Sequence, residues 1–335
     1  MPKNSEAIVK RCCALLLALA AAALAPAPEQ AQAQTQNWPT RPVRIVNTFA
    51  PGGAADLLAR TVADGLSSAF GQPFIVETRA GASGAIGVQS VMATPPDGYN
   101  FVITNVSILV LAPISNPRLG YAPLRDLTNI AYIAGSPIVL SVNPASGVTT
   151  LDQFVTWAKD GGKPLPYSTS GVGSMGQLFA ESFAQQTGIA IAHVPYKGAA
   201  QGLLDLVGGH IAFAAQTLTS TFGQIRAGTL TAVAQTAERR LADFPDLPTF
   251  KEQGFPDLVS TTWFSLSAPA GLAPDIVQKV NREVVQTMAR PEIDRRMREE
   301  GMLTQALSPA EFLQLIKTET VRWKPVIERA GLIEK

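Results

Sequence analysis

The chain has 335 residues, with 27 basic and 26 acidic side chains and a net charge of +1. So even a balance leaves no electrostatic footprint for nucleic acid, and a composition 46% hydrophobic and only 16% charged excludes an extended disordered chain. The length supports one large or two medium domains around a substantial core.

Residues 1–33 read as a secretory signal peptide. Lys3, Lys10 and Arg11 form a positive start, and the apolar run from Cys12 to Leu24 is too short to span a bilayer. Ala31-Gln32-Ala33 fits a small-x-small cleavage site, with Ala25-Pro26-Ala27 as a rival. Cys12 and Cys13 precede the apolar run instead of following it, which does not fit a lipoprotein anchor. Both cysteines lie in the removed segment, so the mature chain is expected to have no disulfide, no thiolate nucleophile and no cysteine-ligated metal. No later stretch is long and apolar enough to cross a membrane.

The mature chain opens on Trp38-Pro39-Thr40-Arg41-Pro42, where the prolines favour extended backbone. A strand over Val43–Thr48 leads into the glycine-rich turn Phe49-Ala50-Pro51-Gly52-Gly53-Ala54-Ala55-Asp56, and a helix starts near Ala54. Its apolar positions Leu58, Val62, Leu66 and Phe70 recur every fourth residue, which defines one buried face. Such a turn presents bare backbone N–H groups at the positive end of a helix dipole, a setting suited to an anion; it also meets the geometric needs of a tight strand-to-helix turn. A strand over Phe74–Glu77, a second glycine-rich turn at Gly81–Gly87 with a helix to Met92, and a strand over Tyr99–Thr104 follow. The order β-α-β-α-β predicts a parallel sheet with its ligand edge at the strand C-termini.

Ile130–Val142 reads as two short strands split by Gly135-Ser136-Pro137, and the chain is expected to pass into a second domain there. Thr150 and Gln153 stand at capping-box spacing before a helix. A strand over Leu165–Thr169, the turn Ser170–Gly176 and a helix to Gln186 repeat the pattern of the first half. Ile189–Val194, Ile211–Ala215 and Ala232–Ala234 read as strands, with a short helix over Ala199–Gly208. Trp263–Ala268 is a strand expected to return to the first domain. The tail is helical: Ile276, Val280, Val284 and Met288 repeat at four, Pro291–Glu300 ends at Gly301, and Ser308-Pro309-Ala310-Glu311 opens a helix to about Arg329. The expected division is 34–137 with 259–335 as one lobe and 138–258 as the other, with a ligand cleft between them.

Gly171-Val172-Gly173-Ser174-Met175-Gly176 has the G-x-G-x-x-G spacing of a dinucleotide turn. The acid that would hold a ribose is missing: Tyr196-Lys197 stands at the end of the next strand, and Asp205 is the first acid beyond it. A backbone cradle for a small anion fits better. No G-x-S-x-G motif surrounds Ser83, Ser170 or Ser174, and of the two histidines His193 reads as packed in a strand and His210 as exposed in a turn, so a serine hydrolase is disfavoured. Metal-ligand spacing is absent. Acids cluster on the C-terminal helices and the 238–257 segment, where solvated faces account for them, as they do for Arg239-Arg240 and Arg295-Arg296. The strand ends carry Asn105, Ser107, Gln216 and Thr217, uncharged donors and acceptors that suit recognition more than turnover. No cofactor is expected.

Several segments together resemble the Bug, or tripartite tricarboxylate transporter, substrate-binding receptors. They are Trp38–Val46 followed by Phe49-Ala50-Pro51-Gly52-Gly53 and Asp56; Gly71-Gln72-Pro73; Glu77–Ala82; Pro96-Asp97-Gly98-Tyr99; Val194-Pro195-Tyr196-Lys197-Gly198; and Ala268-Pro269-Ala270-Gly271. The resemblance spans the mature chain in order. It implies an α/β, two-lobed periplasmic binding protein of the Venus-flytrap type that is not an enzyme, in a Gram-negative periplasm. It further implies a small carboxylated ligand gripped by two strand-to-helix loops through backbone N–H groups, small hydroxyls and water. The matching positions are Phe49, Ala50, Pro51, Gly52, Gly53 and Ala54 in one lobe and Ser168, Ser170, Gly171, Gly173 and Ser174 in the other, with Tyr196 beside them. The implied partner is a membrane permease with a large and a small subunit, or in some members a sensor kinase, and the implied state is a monomer. Asn47-Thr48, Met175-Gly176-Gln177, the apolar 105–109 segment and Gln216-Thr217 depart from the family's usual residues. Gln216-Thr217 stands where an acid is common, which favours a plain mono- or dicarboxylate or an aromatic acid over an amino acid.

Overall fold

The computed structural model describes residues 37–196 and 198–333. The expected signal peptide and Lys197 lie outside the described residues. The chain divides into Met1–Thr40 and Arg41–Lys335, and the second unit holds every element named below.

Three parallel-paired strands begin the fold: β1 (Val43–Asn47) lies between β2 (Phe74–Thr78) and β3 (Asn100–Asn105). The crossovers are α1 (Ala54–Phe70) and α2 (Ala85–Met92). Leu58, Val62 and Leu66 of α1 are fully buried, as their spacing predicts, while Phe70 stays partly exposed at the last turn. Asn105 is the last residue of β3. Its Oδ1 accepts the Ile108 N–H at 3.0 Å and starts a π-helical turn over Ser107–Leu111, every residue of which is buried.

β4 (Leu127–Val142) is one continuous strand of 16 residues, not two. Gly135 lets it continue, because a Cβ there would lie 2.5 Å from both Thr261 Cγ2 and Tyr132 Oη. From Leu127 to Pro137 it pairs antiparallel with β9 (Thr261–Pro269), which also pairs antiparallel with β3. From Ile138 to Val142 its neighbours become β7 (Phe213–Thr217) and β8 (Thr231–Gln235). β5 (Leu165–Ser168) then pairs in parallel with both β7 and β6 (Ile191–Val194). Two sheets, β2-β1-β3-β9-β4 and β8-β4-β7-β5-β6, therefore share one strand; the short β10 (Leu303–Thr304) joins the first at Ala134 and Gly135.

Helices α3 (Leu151–Asp160), α4 (Met175–Thr187), α5 (Ala199–Val207) and α6 (Leu218–Arg226) belong to the second sheet's crossovers. The capping box at Thr150 and Gln153 is present. α6 has no pattern that announces it, since Thr217-Leu218-Thr219-Ser220-Thr221 is rich in poor helix formers. Tertiary bonds support it: Thr219 donates its N–H to Ser136 Oγ and its hydroxyl to the Glu300 carbonyl. The C-terminal helices α7 (Pro274–Met288), α8 (Pro291–Glu299) and α9 (Pro309–Arg329) pack back toward the first sheet; Asn281 on α7 donates to the carbonyls of Ile130 and Leu307, and Ser308 and Glu311 form the expected capping box on α9.

The third glycine of the G-x-G-x-x-G run is a packing residue. A Cβ on Gly176 would overlap the Ala215 carbonyl oxygen, so α4 can lie this close to β7 only with glycine there. Backbone cannot yield as a flexible side chain does, so Gly176→Ala is expected to destabilise the fold by about 1–3 kcal/mol. Urea unfolding of the two proteins measures it, and an unchanged midpoint would refute the close approach.

Candidate functional site

A cavity of about 720 Å³ lies between the loops that follow the strands of the two sheets. Its wall is built from Phe49, Ala50, Pro51, Gly53, Ala54 and Ala55 at the start of α1, and from Ala80, Gly81, Ala82 and Ile86 at the second glycine-rich turn. Asn105, Thr262 and Phe264 come from β3 and β9. The second half contributes Ser170, then Gly198, Ala199, Ala200 and Gln201 at the start of α5, and Thr217 and Ser220 at the start of α6. None of these residues is titratable.

The first turn is braced by its own side chains. Asn47 Oδ1 accepts the Phe49 N–H at 3.1 Å, and Asp56 Oδ2 accepts the Gly52 N–H at 3.3 Å. Both ties of Asp56 run through Oδ2, the second being an ion pair to the exposed Arg60, while its buried Oδ1 has no hydrogen-bond partner. The N–H groups of Gly53, Ala54 and Ala55 come next. α1 has no side-chain cap, so its opening donors have no acceptor in the helix, and these residues line the cavity. α5 repeats the arrangement with N-cap Gly198, no side-chain cap and no acid in its first turn. The two helix starts come close: a Cβ on Gly198 would lie 3.4 Å from Ala50 Cβ. Asn105 gives its oxygen to Ile108, which leaves its amide N–H groups available to the cavity. Thr217 and Ser220 share a hydroxyl hydrogen bond of 2.8 Å on the wall.

Of the residues singled out from the sequence, Phe49, Ala50, Pro51, Gly53, Ala54, Asn105, Ser170 and Thr217 stand on this wall. Gly52, Ser107, Ser168, Gly171, Gly173, Ser174, Tyr196 and Gln216 stand off it, and each has a local reason. Gly52 spends its N–H on Asp56. Ser107 is buried in the π-helical turn. Ser168 lies under α5, where a Cβ on Gly202 would sit 2.6 Å from its own Cβ. Gly171 donates to Thr169 Oγ1, Gly173 donates to Gln177 Oε1, and Ser174 caps α4 by accepting the Gln177 N–H. Tyr196 donates its hydroxyl to Asp205 Oδ2 at 2.6 Å. Gln216 is buried on β7 with an amide that makes no hydrogen bond. The segment Gly198–Gln201 was not identified as binding. A glycine before an apolar helix with no acid in its first turn was the available signal.

Thr169 organises the 169–174 loop. Its hydroxyl donates to the Gly171 carbonyl, accepts the Gly171 N–H, and stands 2.9 Å from His193 Nε2. Burial holds the His193 imidazole below its ordinary value of 6.5.

A family model described as the tripartite tricarboxylate transporter family receptor matches residues 58–332. Protein BugT of Bordetella pertussis is 31% identical over 295 residues, covering 88% of this chain and 90% of BugT. R. palustris Rpa4515, solved with adipate, is 34% identical with a TM-score of 0.85, covering 88% of this chain and 98% of that one. MatC (Rpa3494) from Rhodopseudomonas palustris, solved with bound malate, is 26% identical with a TM-score of 0.82, covering 87% and 100%. The fold is the α/β fold of periplasmic binding proteins.

Two outcomes follow for the 169–174 loop. Thr169→Val removes both roles of the hydroxyl and leaves the Gly171 N–H unpaired, which should cost about 1–3 kcal/mol in urea unfolding. Because the folded His193 value is depressed, the unfolded chain takes up that proton first as pH falls. Stability present above about pH 6.5 should decline as pH drops through the folded value, and the decline should shrink in His193→Gln. Equal pH slopes for the two proteins between pH 5 and 7 would sink this assignment.

Proposed function

The chain belongs to the tripartite tricarboxylate transporter receptor family, and we propose that it is a periplasmic receptor that closes on one small carboxylate and delivers it to a membrane permease with a large and a small subunit. The observation that carries this reading is the convergence of two uncapped helix starts, α1 and α5, on a cavity whose wall, among the described residues, has no titratable side chain. Each helix start offers roughly half a positive charge and several N–H groups, which suits a carboxylate without a counter-ion.

Phe49, Ile86 and Phe264 line the same cavity, which suits a carboxylate carried on a hydrocarbon body. Among the described residues no carboxylate stands on the wall to pair with an ammonium, and Asp205 is engaged by Tyr196. The reading therefore falls on plain mono- or dicarboxylates and aromatic acids before amino acids. Adipate and malate, seen in two relatives, are the first ligands to try. The export signal over 1–33 belongs to this proposal, as does the division into 34–137 with 259–335 and 138–258. The exchange of β4's partners between Pro137 and Ile138 supports that division.

A thermal-shift series over dicarboxylates, hydroxy acids, aromatic acids and amino acids tests the reading. A bound acid should raise stability as RT ln(1 + [L]/Kd), about 2.7 kcal/mol at one hundred times Kd. No shift from any acid at millimolar concentration would overturn it. Ala54 is the first helical residue of α1 and follows a residue with extended backbone, φ −101° and ψ −179°. Proline is tolerated at such a position and removes its N–H. Ala54→Pro should therefore weaken binding at least about 10-fold, as expected for a hydrogen bond to a charged group, with little change in the acid-free melting temperature. With no titratable side chain on the wall among the described residues, affinity for an acid ionised throughout should stay flat from pH 6 to 9. A titration step in that range, by calorimetry, would place an ionisable group in the site.

A further inference from the structure

Two loops on opposite sides of the cavity are joined by a side-chain hydrogen bond. Ser83 follows β2 of the first sheet, and Val172 follows β5 of the second. The Ser83 hydroxyl donates to the Val172 carbonyl at 2.7 Å. Neither residue stands on the cavity wall, yet Ala82 on one side and Ser170 on the other do.

Both partners are presented in a constrained way. Ala82 and Ser83 have φ of 45° and 52° and are the only non-glycine residues with positive φ among the described residues. A Cβ-bearing residue adopts that conformation only at a steric cost, and two in succession are uncommon. Strained backbone of this kind is held by its surroundings and gathers at ligand clamps and switches. The acceptor is fixed from its own side, because Thr169 braces Gly171 and Gln177 braces Gly173 on either side of Val172.

We infer that Ser83 is a latch: its hydrogen bond to the Val172 carbonyl holds the two halves together over the cavity and sets ligand affinity without touching the ligand. The inference rests on the receptor reading above. A contact made only in the closed form shifts the open–closed balance, and the apparent affinity of any ligand that needs the closed form follows that shift. Ser83 is thus a positioning residue that acts equally on every ligand, whereas a wall residue acts unequally.

The experiment measures adipate and malate binding to wild type, Ser83→Ala and Ser83→Asn by calorimetry and stopped flow, with scattering profiles of all three without acid. Ser83→Ala should raise Kd by roughly 2- to 12-fold, the equivalent of one net hydrogen bond. The factor should be the same for both acids and appear in the dissociation rate. Ser83→Asn keeps a donor on a residue that tolerates the left-handed conformation, and should recover the affinity. An unchanged Kd in Ser83→Ala overturns the latch. So does a change in the adipate-to-malate ratio, which would make Ser83 a ligand contact, and so does equal loss in both variants, which would assign the effect to loop shape. If wild type binds neither acid, the choice of ligands fails and the latch is judged on scattering without acid. A wild type more compact than Ser83→Ala then supports it, and identical profiles overturn it.

Discussion

The structure depends on where backbone N–H groups find acceptors. A donor enclosed without a partner carries a penalty comparable to a lost hydrogen bond, so most loops in this chain satisfy themselves. The 169–174 loop shows it: Thr169 Oγ1 accepts the Gly171 N–H, Gln177 Oε1 the Gly173 N–H, and the Gly171 carbonyl the Ser174 N–H. The starts of α1 and α5 are different, because no side chain closes either. That contrast separates a glycine-rich loop that is scaffold from one that can hold an anion, although the two look alike as sequence.

Around those helix starts the rest of the fold acts as a frame. Gly176 brings α4 onto β7, Gly202 brings α5 onto Ser168, and the buried hydroxyls of Thr104, Ser265 and Ser267 tie β3 to β9 at 2.7–3.0 Å. These contacts fix where the strand ends stop and hence where each helix begins. The cavity's polarity is then a matter of backbone, with side chains supplying an apolar lining and a few hydroxyls and amides. Among the described residues the wall carries no counter-charge.

Much of this was legible from residue patterns. The strand–turn–helix order of the first half, the fourfold spacing of α1 and α7, and the capping boxes at Thr150 and Ser308 follow from local rules that tertiary context did not override. The first-half wall at Phe49–Ala54 was legible too, apart from Gly52, whose N–H is taken by Asp56. The second half was harder, because G-x-G-x-x-G draws attention to Gly171–Gly176 while Gly198–Gln201 line the cavity. Which donors remain free depends on side chains such as Thr169 and Gln177 folding back on the loop, and no spacing rule reports that. α6 and the continuity of β4 were hidden for a similar reason: Ser136 and Glu300 hold the first, and the close approach of Thr261 to Gly135 permits the second.

The position of Pro137 has a mechanical consequence. A strand shared by two sheets would ordinarily resist torsion, because each residue is tied on both edges. Pro137 is the last residue paired to β9, Ile138 is the first paired to β7, and proline has no N–H to tie. Rotation about the strand axis at this residue therefore sacrifices no rung on the proline's own donor side. The strand that the two sheets share thus carries one donor fewer at the place where it exchanges partners.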